Sequence, residues 1–80
     1  MKEKELDALV AGIVARLKSR RLQLGMSVNK LSELAGMSHV GILQIESGNR
    51  SPQLRTALKL ANALGLELGE VIRIVRSSCS

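Results

Sequence analysis

Four glycines divide this chain. Gly25, Gly36, Gly48 and Gly65 each follow a stretch in which apolar residues recur every three or four positions, the spacing that lines one face of an α-helix. Glycine readily takes the left-handed conformation that ends many helices, so the chain reads as five short helices in a row. The first is expected over about residues 3–24, with Leu6, Leu9, Val10, Ile13, Val14 and Leu17 at helical spacing. Glu3, Glu5 and Asp7 stand at its start and Lys18, Arg20 and Arg21 at its end, matching the helix macrodipole. The second follows Ser27 and carries Val28, Leu31, Leu34 and Ala35. The third follows Ser38, runs to Glu46 and turns Ile42 and Ile45 inward. Both serines are residues whose hydroxyl caps a helix N-terminus. The fourth is expected to start near Pro52, a residue favoured in a first helical turn, with Leu54, Leu58, Ala61 and Leu64 as its inner stripe. The fifth covers about residues 68–76 and presents Val71, Ile72 and Val75. Residues 77–80 read as a frayed tail.

The chain contains no Phe, Tyr or Trp. Its core must be built from Leu, Ile, Val, Ala and Met, which favours helix packing over a sheet. Without aromatic rings there is no platform on which single-stranded bases stack. The 80 residues form one domain, residues 1–80, and a domain of this size buries only about 60% of its extended-chain surface. No apolar run approaches the ~20 residues that span a bilayer, so no membrane partner is expected. The mixed-charge start does not resemble a secretory signal, and Cys79 is the only cysteine; together these suggest a reducing cytoplasm. With one histidine, one cysteine and no clustered carboxylates, neither a nucleophile–base pair nor a metal set can be assembled. No catalytic residue, metal or cofactor is expected.

The net charge is +5, unevenly spread. From Arg16 to Lys59 there are eight cations (Arg16, Lys18, Arg20, Arg21, Lys30, Arg50, Arg55, Lys59) against Glu33 and Glu46. Such a surplus attracts a polyanion, although a basic face is also compatible with an ordinary solvated surface.

The second and third helices are joined by Ala35-Gly36-Met37-Ser38. A three- or four-residue turn containing glycine sets two helices steeply against each other; Ala35 is small enough for close approach and Met37 can plug the core beneath the turn. From Leu17-Lys18-Ser19-Arg20-Arg21, through Leu24-Gly25-Met26-Ser27 and Leu31-Ser32-Glu33-Leu34-Ala35-Gly36-Met37-Ser38, to Ile42-Leu43-Gln44-Ile45-Glu46-Ser47-Gly48, the chain resembles the phage-repressor-like, Xre-type helix-turn-helix proteins. The likeness continues through Pro52, Leu58-Lys59-Leu60-Ala61-Asn62-Ala63-Leu64-Gly65 and Leu68, about sixty residues in all.

The resemblance implies an all-α, five-helix λ-repressor-like DNA-binding domain. Its helix-turn-helix would be formed by helices 2 and 3, with a core over about residues 14–76 and an N-terminal extension of helix 1. It also implies a DNA-binding transcription regulator, expected to act as a repressor, in a bacterial or phage cytoplasm on double-stranded DNA. Arg21 and Glu46 match a structural salt bridge between the first helix and the end of the recognition helix, with a phosphate contact by Arg21 as a further option. With Ile42 and Ile45 inward, His39, Val40, Gly41, Leu43 and Gln44 project outward. Helix-turn-helix proteins read bases with the N-terminal part of this helix. His39, Val40, Gly41 and Gln44 are therefore the expected base contacts: Gln44 for adenine and Val40 for a thymine methyl, His39 for a base or phosphate, and Gly41 as room for the DNA. Each residue is also compatible with a plain solvated role. Phosphate contacts are expected from Ser27, Val28, Lys30 and Ser38, and from Asn49, Arg50 and Ser51 in the loop after the third helix.

The sequence departs from the family at Val28, where many members carry a glutamine that grips a phosphate and braces the recognition helix. With Val28, Val40 and Leu43 all apolar, the outward face is greasier than usual. The final helix can dock on the apolar first helix within the chain, or a second subunit can cover it. A homodimer through the first and last helices is the favoured expectation, which would present two recognition helices ~34 Å apart to a palindromic operator. A protein partner, such as a toxin or antirepressor, is the competing expectation. A prophage repressor, a restriction controller and an autoregulating antitoxin are all compatible with the sequence. Eighty residues leave no room for a sensor domain, so control is expected from concentration or from another protein.

Overall fold

Gly36 shows how the chain is bent. It closes the second helix with φ 66° and ψ 41°, a left-handed conformation that a side chain would strain. The other dividing glycines also have positive φ. The computed structural model describes residues 1–78, which form α1 (Glu3–Gln23), α2 (Val28–Ala35), α3 (His39–Glu46), α4 (Leu54–Ala63) and α5 (Leu68–Ser78). The five-helix order expected from the glycines is the order found. Both serine caps are made: Ser27 Oγ accepts from the Lys30 amide and Ser38 Oγ from the Gly41 amide, each at 3.0 Å.

The core gathers side chains from every helix. Leu17 of α1, Leu31 of α2, Ile42 and Ile45 of α3, and Leu60 and Ala61 of α4 are all buried, and Leu64 and Leu68 close it around the turn before α5. Full burial of such a side chain contributes about 1.5–3 kcal/mol. Met37 is half-buried against this cluster, as the plug beneath the turn required.

Helix α4 differs from expectation in two ways. It begins at Leu54 after Gln53, which has extended backbone, so Pro52 lies in the preceding loop rather than in the first turn. Its inner stripe is also only partly the expected one: Ala61 and Leu64 are buried as expected, but Ala57 and Leu60 take the other inward places, while Leu54 and Leu58 are 70% and 50% exposed. Helix α4 packs against the short α2, with Ala57 among its buried residues. Leu34 of α2 likewise points out, 51% exposed.

The last helix docks within the chain. Helices α1 and α5 pack together, with Val71 and Val75 buried. The contact depends on Gly12, where a Cβ atom would lie 2.5 Å from Val75 Cγ1. Helix α5 also runs further than expected, taking in Ser77 and Ser78, and Ser78 Oγ donates to the Ile74 carbonyl at 3.1 Å. The rest of the tail, Cys79 and Ser80, lies outside the described residues. Among the described residues, no helix is long and apolar enough to cross a membrane.

Candidate nucleic-acid interface

The turn between α2 and α3 is fixed by its backbone. The amides of Gly36 and Met37 both donate to the Ser32 carbonyl, which ends α2 and sends the chain toward Ser38. The rotation of α3 is then set by Ile42 and Ile45, 1% and 4% exposed. Its opposite face carries His39, Val40, Leu43 and Gln44, all exposed. Val40 is 61% and Leu43 45% exposed, so the apolar character expected of this face is present in three dimensions. Helix α3 contains no lysine or arginine, and its one carboxylate, Glu46, is already paired.

Glu46 accepts from Arg21 twice, from Nε at 2.8 Å and Nη2 at 2.9 Å. Arg21 Nη1 donates to the Met26 carbonyl at 2.8 Å. The hydrogen bond to Glu46 raises the Arg21 pKa above its ordinary value, with the opposing effect of burial and further support from the Glu46 charge. The expected bridge is therefore made. Arg21 is buried, with each of its three side-chain nitrogens making one hydrogen bond inside the protein.

Gly41 is half-buried, and a Cβ there would come within 2.9 Å of Ser38 Oγ. A side chain at this position would press on the α3 cap unless Ser38 shifted.

The remaining candidate residues fall into two groups. Ser27, Val28 and Lys30 stand at the start of α2; the Ser27 hydroxyl is used in capping and Val28 packs half-buried against the core. Ser38, Gly41, Arg50 and Ser51 come together in a cleft of about 250 Å³ between the start of α3 and the start of α4. Asn49 sits in the adjoining loop, its amide donating to the Gln44 carbonyl at 3.0 Å.

Three residues missed in the sequence join these groups. Gln53 and Thr56 line the same cleft. Placing Pro52 inside α4 hid Gln53, which stands at the N-terminal boundary of that helix. Asn29 faces His39 across the two helices, with Asn29 Oδ1 accepting from His39 Nδ1 at 2.6 Å. This contact uses the Nδ1 side of the ring and turns Nε2 toward the outside of the pair. This contact links α2 to the start of α3 near the place where Val28 lacks a side chain able to do so.

Comparison with known proteins agrees with this geometry. The helix-turn-helix family model matches residues 17–71, and the chain belongs to this Xre-like, helix-turn-helix family. It is 40% identical over 63 residues to an uncharacterized HTH-type transcriptional regulator of Haemophilus influenzae, covering 79% of this chain and 64% of that protein. It is 40% identical over 55 residues to the HTH-type transcriptional regulator PuuR of Escherichia coli, covering 69% of this chain and 30% of PuuR. A further uncharacterized HTH-type transcriptional regulator, from Methanothermobacter thermautotrophicus, is 36% identical over 59 residues, covering 74% of this chain and 86% of that protein. The chain thus spans less than two thirds of the first two relatives.

Proposed function

We propose that this chain is a transcriptional regulator that binds double-stranded DNA sequence-specifically, as a homodimer on a palindromic operator, and represses by occupying it. The observation that carries the reading is the rotation of α3. Burial of Ile42 and Ile45 leaves His39, Val40 and Gln44 on one exposed face of a helix narrow enough to enter a major groove ~12 Å wide. Gln44 pairs with an adenine edge, Val40 meets a thymine methyl and His39 offers Nε2. The start of α2, with Ser27, Val28 and Lys30, directs backbone N–H groups and a cation toward one phosphate run. Ser38, Asn49, Arg50 and Ser51 serve another, with Gln53 and Thr56 beside them.

The relatives named as transcriptional regulators support the same reading. Hydroxyl-radical footprinting on a selected duplex tests it: two protected tracts about one helical turn apart are expected for a dimer with both α3 helices in successive major grooves. A single unsymmetrical tract would contradict the dimeric arrangement.

A second reading rests on Leu34, Val40 and Leu43, which are 51%, 61% and 45% exposed. Exposed apolar side chains such as these also suit a protein partner, such as a toxin or an antirepressor. The two readings separate by salt. Counterion release makes DNA affinity fall steeply with ionic strength, whereas an apolar contact between proteins is far less sensitive.

A further inference from the structure

The matched family segment begins at Leu17, so the first four turns of α1 lie outside it. Those turns form one wall of a groove of about 510 Å³ whose other wall is the end of α3 and the loop after it. Helix α1 contributes Asp7, Val10, Ala11, Val14, Ala15 and Lys18. No residue of α5 lines the groove; α5 meets α1 on another side, at Gly12.

We propose that this groove receives α1 of a second copy of the chain, running antiparallel about a twofold axis. The inference deepens the dimer of the proposed function by naming its surface and register. Residues 7, 11, 14 and 18 recur at the alternating three- and four-residue spacing that keeps one helical stripe facing a partner helix. An antiparallel mate centred between Gly12 and Ile13 sets Asp7 opposite Lys18 of the second copy, Val10 opposite Ala15 and Ala11 opposite Val14. Each larger side chain then meets a smaller one, and each charge meets its opposite. Twofold symmetry makes every one of these pairs twice, as an isologous contact requires.

Charge argues for this occupant over other pairings. Within one chain Asp7 and Lys18 are eleven residues apart, about 16 Å along the helix, too far to form an ion pair with each other. A parallel mate would place like charge on like charge. Shifting the antiparallel register by one turn would set Asp7 or Lys18 against an apolar residue. Because Ile45, Glu46, Ser47, Arg50 and Ser51 line the same groove, the axis passes beside the ends of both α3 helices, and the second copy lies next to the loop whose Arg50 and Ser51 also line the cleft proposed to face phosphate.

The test is sedimentation velocity on the full chain, with reductant present to keep Cys79 from cross-linking. The native chain should sediment as a dimer. Asp7→Lys should weaken its dimer at least tenfold, because each introduced lysine would face Lys18 of the other copy. Lys18→Asp should do the same through two facing carboxylates at each end. An equimolar mixture of the two variants should dimerise like the native chain, since only the heterodimer brings opposite charges together. Asp7 and Lys18 are exposed, and circular dichroism should show native helix content in both variants. A monomeric native chain, single variants that dimerise normally, or a mixture that stays monomeric would each overturn the proposal. Sedimentation needs no DNA, so a chain that dimerises with this rescue yet binds no duplex refutes the proposed function and leaves the interface standing.

Discussion

Arg21 clasps both carboxylate oxygens of Glu46, and so ties the last turn of α1 to the last turn of α3. Its remaining nitrogen holds the Met26 carbonyl in the turn that leads to α2. One side chain therefore fixes the recognition helix relative to two other parts of the fold. Both partners are only 10% exposed. Removing one leaves the other as a nearly buried, unpaired charge, so Arg21→Ala and Glu46→Ala should each lower the unfolding free energy by about 3–5 kcal/mol. The double variant should lose less than the two together, and urea denaturation reads all three. The hydrogen bond to Glu46 raises the Arg21 pKa above its ordinary value, so the guanidinium stays charged through neutral pH and loses its charge only in strong alkali. Stability attributable to this pair should therefore not change with pH across the range in which DNA binding is measured.

Gly12→Ala should undock α5. The added methyl would lie 2.5 Å from Val75 Cγ1, and overpacking of this kind costs about 1–3 kcal/mol. Val75→Ala in the same background should recover part of the loss by making room. A thermodynamic cycle of the four proteins checks this, and additive losses would show that the two residues do not meet.

Gln44 and Arg50 should fail in different ways. Gln44→Ala should relax preference at one base pair, losing about 1–3 kcal/mol of discrimination there. Arg50→Ala should weaken binding to all duplexes alike and reduce the salt slope by about one. Equal, sequence-blind losses from both variants, measured by fluorescence anisotropy, would remove the distinction between reading and anchoring.

Val40 should report a single methyl group. Replacing its target dT by dU removes only the C5-methyl, and loss of that apolar contact should cost about 0.8 kcal/mol. In Val40→Ala the same replacement should have a much smaller effect. A native chain indifferent to dU at every operator position would show that Val40 reads no thymine.

Much of the fold is legible in the sequence because its signals are local. Ser27 and Ser38 cap helices through bonds three residues long, and the dividing glycines mark helix ends by backbone conformation alone. The inward turn of Ile42 and Ile45 follows from periodicity, and the Arg21–Glu46 pair from family likeness. What escapes depends on neighbours distant in sequence. The inner stripe of α4 is settled by packing against other helices, so Ala57 and Leu60 turn inward while Leu54 and Leu58 point outward against their hydrophobicity. Asn29 and His39 meet only once both helices are set about Gly36. Gln53 is masked by Pro52, whose preference for a first turn gives way to a place in the loop. At Gly41 the nearest atom to the space of a missing Cβ belongs to Ser38, a neighbour that helical spacing alone does not bring forward.

The most direct test of the central claim is selection of bound duplexes from a random DNA pool, followed by affinity measurement at two salt concentrations. The account predicts a palindromic winner, bound far more tightly than a scrambled duplex, with affinity falling steeply as salt rises. No enrichment, with only weak binding that salt abolishes, would contradict it and point to Leu34, Val40 and Leu43 as a surface for protein.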